Sequence, residues 1–361
     1  MRIGFDARMI THPGIGRYIK NLLSAMFALN TKHEFVLFGD RQRLSTLDHR
    51  LSTVILINYT APIYSAQEQL NAPFSKYNLD ILHCPHFNIP YFYPGKLIVT
   101  VHDLIYLIFP ESAPSKAAVI YANAMMSRSI KRAAATIAVS ENTKKDILHF
   151  FKHAKPDKIK VIYEAADPCF KNIADRNELS GIKKKYNLPD RFILYVGSLK
   201  HHKNLQGAID VYLSLKEKIK AYDFVVVGRP HKREAHIQDM VKAAGARFLG
   251  EVPSEDLFGI YNLADCLLHP SFYEGFGLTV LEAFACGISV VCSNRASLPE
   301  VASDAAILVE PDNIKNMANA VFEVLTNENL RRETIKNGYK KVQQFSWEKA
   351  ATRTIQLYEG L

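Results

Sequence analysis

The sequence predicts two doubly wound α/β domains, each a parallel sheet covered by helices. Three observations carry this. Thirteen short apolar runs alternate with helical-looking segments. The runs are continuous and rich in Val, Ile and Leu, the pattern of strands buried on both faces. The 361 residues exceed what one hydrophobic core ordinarily fills. Strand–helix alternation implies right-handed crossovers and parallel sheets.

In chain order, the runs of the first half are RIGFD, EFVLFG, STVILI, DILHC, KLIVTVHD, TIAVS and KVIY. Those of the second half are FILYVG, DFVVVG, RFLG, ADCLLHP, ISVVC and AAILVE. A polar, basic segment broken by Pro168, Gly181 and Pro189 separates the halves, so the expected domains are residues 1–171 and 172–345. The closing stretch FSWEKAATRTIQLYEGL reads as an amphipathic helix capped by Ser346. This helix, over residues 346–361, is expected to return to the N-terminal domain and to couple the two lobes. No apolar run is long enough to cross a membrane, and MRIGFDARMI reads as a first strand instead of a signal peptide. The five cysteines, an odd number without a C-x-x-C pair, suit reduced thiols in the cytoplasm.

The formal net charge is +9 and lies mainly in the first half. Residues 1–171 hold 21 Lys/Arg against 13 Asp/Glu, a net +8; the remainder holds 24 against 23. A basic first half suits an anionic partner such as a membrane surface or anionic lipid, or simply a soluble surface. No Arg-rich, aromatic-interleaved segment points to nucleic acid.

Ligands of doubly wound sheets bind beyond the carboxyl ends of the strands, and five such junctions carry chemistry. In SFYEGFGLTVLEAFACG, Gly275 and Gly277 allow close backbone approach, and the helix after them offers free N–H groups. Glu274 precedes those donors and can accept bonds from a polyol. Glu282 sits in a helix so apolar that its carboxylate needs a partner. In YVGSLKHHKNLQGAI, Lys203 is placed to meet a phosphate. In THPGIGRYIKNLL, Gly14 and Gly16 precede a helix, either as a phosphate loop or as an ordinary helix entry. In LIVTVHDLIYLIFPE, His102 and Asp103 close an apolar strand, a switch-point position. In HCPHFNIPYFYPG, His83 and His86 are spaced for a metal, but Pro85 argues against it and favours an acceptor-side loop. Its aromatics Phe87, Tyr91, Phe92 and Tyr93 suit either a lipid-linked acceptor or core packing. There is no D-x-D, no P-loop and no G-x-S-x-G.

The pattern E-G-F-G-L-x-x-x-E from Glu274 to Glu282 resembles the E-x7-E signature of glycosyltransferase family 4. CSNRASLPEVASDAAILVEPDN and RFLGEVPSEDLFGIYNLAD are also similar to that family. The resemblance implies the GT-B fold, two Rossmann-like domains facing across a cleft. It implies retaining transfer of a hexose from a nucleotide-sugar to a saccharide or lipid-linked acceptor, by front-face attack and without a metal or other cofactor. Glu274 would bind hydroxyls of the transferred sugar with the amides of Gly275, Phe276 and Gly277. Leu278 and Thr279 would lie against the diphosphate, Lys203 would pair with it, and Glu282 would hold the ribose. Gly14, Gly16 and Val252 would line the donor site. His102, in T-V-H-D, would face the transferred sugar, so Glu274, His102 and Lys203 form the expected catalytic set. The family often places an arginine where this chain has Ser198; Lys200, His202 and Arg229 are the substitutes at hand. The H-D-L-x-x-L-x-x-P-E context resembles mannosyltransferases of surface polysaccharide and lipopolysaccharide assembly, which favours GDP-mannose as donor and work at the cytoplasmic face of the inner membrane. A sugar-nucleotide epimerase, a phosphorylase and a non-catalytic partner subunit are rivals on the same fold.

Overall fold

The computed structural model describes residues 1–29, 31–48, 53–70, 72–229 and 235–361. Among these residues all thirteen expected runs form strands, although Ser52, which opens STVILI, lies outside them. They are β1 (Arg2–Asp6), β2 (Glu34–Gly39), β3 (Thr53–Asn58), β4 (Ile81–Cys84), β5 (Leu97–Val101), β6 (Ala135–Ala138) and β7 (Ile159–Val161) in one sheet. The second sheet holds β8 (Phe192–Val196), β9 (Asp223–Val227), β10 (Arg247–Gly250), β11 (Cys266–His269), β12 (Ser289–Ser293) and β13 (Ile307–Val309). Every pairing is parallel.

The strand orders are β3-β2-β1-β4-β5-β6-β7 and β10-β9-β8-β11-β12-β13. Each order reverses direction once, between β1 and β4 in the first sheet and between β8 and β11 in the second. These two crevices are the places where a doubly wound sheet accepts a ligand. His102 follows β5, one strand beyond the first crevice, which corrects its expected switch-point position.

The chain divides into two compact units, Met1–Glu164 with Ser346–Leu361, and Ala165–Phe345. The division thus falls seven residues before the expected one at 171/172. In the first unit, β1, β4 and β5 are buried along nearly their whole length, and helix Ile15–Ala28 packs against helix Trp347–Glu359. Tyr18 is fully enclosed; its ring meets that of Trp347 edge-on at 5.9 Å, and its hydroxyl lies 3.0 Å from Thr100 Oγ1. Ser346 caps the last helix by accepting from the Lys349 N–H. In the second unit, helices Leu205–Leu215 and Ile314–Thr326 share one apolar core with β8, β9 and β11. No helix among the described residues is long and apolar enough to cross a membrane.

Candidate active site

The second sheet's crevice gathers residues from three junctions. After β8, a single turn of 3-10 helix, His201–Lys203, ends at Asn204, whose backbone is left-handed (φ 52°). Asn204 caps the following helix by accepting from the Gly207 N–H, and it donates to the carbonyls of Pro270 and Pro311. That tie fixes the turn against the loop after β11. Lys203 Nζ consequently lies 2.6 Å from both carboxylate oxygens of Glu274.

Glu274 has a second partner. His269, the last residue of β11, donates from Nε2 to Glu274 Oε1 at 2.8 Å. Burial alone would raise the Glu274 carboxyl, but the Lys203 ammonium and the His269 bond more than offset it and hold the group well below the usual carboxylate range. Glu274 is therefore an ionised, oriented acceptor. Its backbone is fixed as well: Ser297 Oγ lies 2.9 Å from the Glu274 carbonyl oxygen and 2.8 Å from that of Phe276. Neither His269 nor Ser297 stands out in the sequence, although both lie in the stretches ADCLLHP and ASLPE that frame the site.

Gly277 begins helix Leu278–Cys286 with φ 110°, a conformation that L side chains rarely adopt, and Gly287 ends it in the left-handed region. No side chain caps the helix start, so its leading N–H groups, at Leu278 and Thr279, remain outside the intrahelical ladder. Both residues are partly exposed, as is Gly275. Phe276 is core, its ring packed edge-on to Phe345. Glu282 is 2% exposed and accepts a 3.1 Å bond from Tyr261 Oη, the partner its apolar helix demands.

The substitutes for the missing arginine fare unequally. Ser198 is half-buried and Val252 is buried. His202 is buried, and burial with the neighbouring Lys203 charge pushes its imidazole down to about 3, so it is neutral at physiological pH and supplies no cation. Arg229 is exposed, with Nε 3.7 Å from Glu251.

The first sheet's crevice holds a different cluster. Arg8 forks onto Asp6, with Nε and Nη2 at 2.8 and 2.7 Å, and reaches Glu68 with Nη1 at 2.9 Å. All three side chains are at most 6% exposed. His102, just after β5 and one strand away, is held at both ring nitrogens, by Glu164 Oε1 and the Pro85 carbonyl, each at 2.9 Å. Both partners can only accept; although burial lowers the ring's basicity, Glu164 outweighs it and the pKa is raised. His102 is thus fixed in orientation, with its charged form favoured. Asp103 caps the next turn by accepting from the Ile105 N–H.

Two expectations in this unit are corrected. Gly16 does not precede the helix but lies in its first turn, after the N-cap Gly14 (φ 79°). A Cβ at Gly16 would come within 2.4 Å of the Ile10 carbonyl oxygen; its smallness serves a turn of its own loop. His83 belongs to no loop: it is fully buried in β4, between Tyr358 Oη and Thr100 Oγ1, and burial pushes it down to about 3. Phe87 and Tyr93 are core, whereas Tyr91 and Phe92 are exposed. Among the described residues, no group of three or more His, Cys, Asp or Glu is placed to hold a metal ion.

Comparison with known proteins matches both units of the chain to family models. The model described as Glycosyltransferase Family 4 matches residues 13–169, and that described as Glycosyl transferases group 1 matches residues 179–341. The O-antigen chain mannosyltransferase B of Escherichia coli is 28% identical over 387 residues, covering all of both chains. Among solved structures, the sucrose-phosphate synthase of Thermosynechococcus elongatus superposes with a TM-score of 0.77 at 20% identity, over 100% of this chain and 98% of that one. The Anabaena protein HepE, in complex with UDP and glucose, gives 0.77 at 17% identity over the whole of both chains. The two parallel-sheet units are the Rossmann-like domains of the GT-B fold, and the chain belongs to glycosyltransferase family 4.

Proposed function

We propose that this glycosyltransferase moves a hexose, mannose in the first instance, from GDP-mannose to a saccharide or lipid-linked acceptor during surface polysaccharide assembly, with retention at the anomeric carbon. The observation that carries the reading is the ionised Glu274, held between Lys203 and His269 ahead of an uncapped helix start. Glu274 accepts from hydroxyls of the transferred sugar. Lys203 rotates from Glu274 to the diphosphate, and the N–H groups at Leu278 and Thr279 share its charge. Glu282 accepts from the ribose. Departure of the nucleoside diphosphate is the demanding step, because charge builds on the leaving oxygen; the Lys203 ammonium and aligned amides stabilise it without proton transfer. The proposal includes no metal. The name of the Escherichia coli relative supports the choice of mannose, and the ligands named with HepE support a nucleotide donor.

The membrane face of the reading rests on unit 1. Leu70 and Phe92 are 75% and 71% exposed and line one surface hollow, and Arg128 lies 3.6 Å over the neighbouring Tyr91 ring. Apolar side chains edged by arginine suit an anionic lipid surface on which a lipid-linked acceptor would travel.

The test is thermal unfolding with GDP-mannose, UDP-glucose and ADP-glucose, with and without EDTA, followed by transfer assays. A donor at a hundred times its Kd stabilises by about 2.7 kcal/mol, so GDP-mannose should raise Tm by several degrees with or without the chelator. No shift with any nucleotide-sugar would refute the reading; a shift abolished by EDTA and restored by a divalent ion would refute its metal-free part.

A further inference from the structure

Tyr64 has a conformation that its packing does not explain. Its φ is 68°, in the left-handed region that a bulky side chain seldom occupies. Its side chain is half in solvent, 52% exposed, so burial does not compensate for the backbone. What holds it is Glu68, whose Oε1 accepts from the Tyr64 N–H at 2.8 Å. The same carboxylate accepts from Asn88 Nδ2 at 2.6 Å and from Arg8 Nη1 at 2.9 Å, with Arg8 locked in turn onto Asp6. Backbone strain of this kind persists where surrounding structure over-determines it, and it gathers at ligand clamps.

The position matters as much as the strain. Asp6 ends β1 and His86 follows β4, the two strands that flank the switch point of this sheet. The Tyr64 hydroxyl lies 3.4 Å from His86 Nε2, and its ring stands perpendicular to Tyr121 at 5.7 Å. Tyr121 donates to Asn88, the residue that shares Glu68 with Tyr64. A buried ion cluster thus props one aromatic ring, half-open to solvent, at the crevice where such a sheet takes its ligand. An exposed ring with few degrees of freedom and a polar tip complements a pyranose, which offers a C–H face and equatorial hydroxyls.

We propose that Tyr64 is the platform on which the acceptor saccharide stacks, and that the Asp6–Arg8–Glu68 cluster is the brace that holds it there. This rests on the glycosyl-transfer reading above. The test uses octyl α-D-mannopyranoside as acceptor probe, the full chain, and the variants Tyr64→Gly and Tyr64→Phe. Glycine adopts a φ of 68° without strain, so Tyr64→Gly should match or exceed the wild type in Tm while its KM for the mannoside rises about tenfold. Tyr64→Phe should stay within about threefold of the wild-type KM, since the ring is retained. The Tm rise given by GDP-mannose should be the same in all three proteins. A Tyr64→Gly KM within twofold of wild type overturns the inference, and so does a Tyr64→Phe loss equal to that of Tyr64→Gly. A wild type that GDP-mannose stabilises but that neither binds nor glycosylates the mannoside overturns the inference and leaves the donor reading standing. A wild type that no nucleotide-sugar stabilises overturns both.

Discussion

The two crevices are built alike and filled differently. Each lies where the strand order of a parallel sheet reverses, and each brings a cation to a buried carboxylate. At the β1/β4 crevice the cation is Arg8, a planar fork satisfied on both sides by Asp6 and Glu68. At the β8/β11 crevice it is Lys203, a point charge on a flexible stem that among the described residues pairs with Glu274. Arginine in such a setting is committed, because leaving would take the guanidinium charge from two buried carboxylates at once, with Glu68 left to the neutral donors of Tyr64 and Asn88. Lysine is not: Glu274 keeps His269 when Lys203 swings away. Under the proposed function, one buried pair serves as a brace and the other as a latch that an incoming anion opens.

The largest expected effect breaks the brace. Arg8→Met should cost about 3–5 kcal/mol of stability, because two buried carboxylates lose the guanidinium charge that balances them; urea unfolding would measure it, and an unchanged midpoint would contradict the brace. Next, Glu274→Ala should lower transfer about 10²–10³-fold with a near-native unfolding midpoint. Turnover close to wild type would remove Glu274 from the reaction. Lys203→Ala should weaken donor binding about 10–100-fold, the range for a charged hydrogen bond, as read by titration with GDP-mannose. If Lys203→Ala lost as much stability as Arg8→Met, the distinction between latch and brace would collapse.

Much of this was legible in the sequence, for identifiable reasons. The strands were legible because each is a short apolar run between polar segments. Glu274 and Lys203 were legible because both lie at strand-to-helix junctions, one against a glycine turn and the other before a new helix. The supporting residues were not. Ser297 acts on a carbonyl 23 residues away, and Arg8 finds Glu68 across 60 residues. No local pattern encodes such a pairing; it exists only once the strand order brings the loops together. His202 shows the converse error. Beside a lysine it resembles a cation in sequence, but burial keeps it neutral. Gly16 was open to two readings, a phosphate loop or a helix entry, and the carbonyls of Ile10 and Met9 that crowd it lay outside the motif that suggested them.

The helix Trp347–Glu359 belongs to the first unit yet follows the second in the chain. Tyr358 reaches the buried His83, Trp347 covers Tyr18, and Glu359 meets His33. During synthesis the second unit, one unbroken stretch, is therefore fully made before the piece that completes the first. The usual order of maturation on the ribosome, amino-terminal domain first, cannot run to completion here before that helix emerges. The basic, aromatic-edged first unit waits, with a core missing one wall, until all of the second unit has been translated.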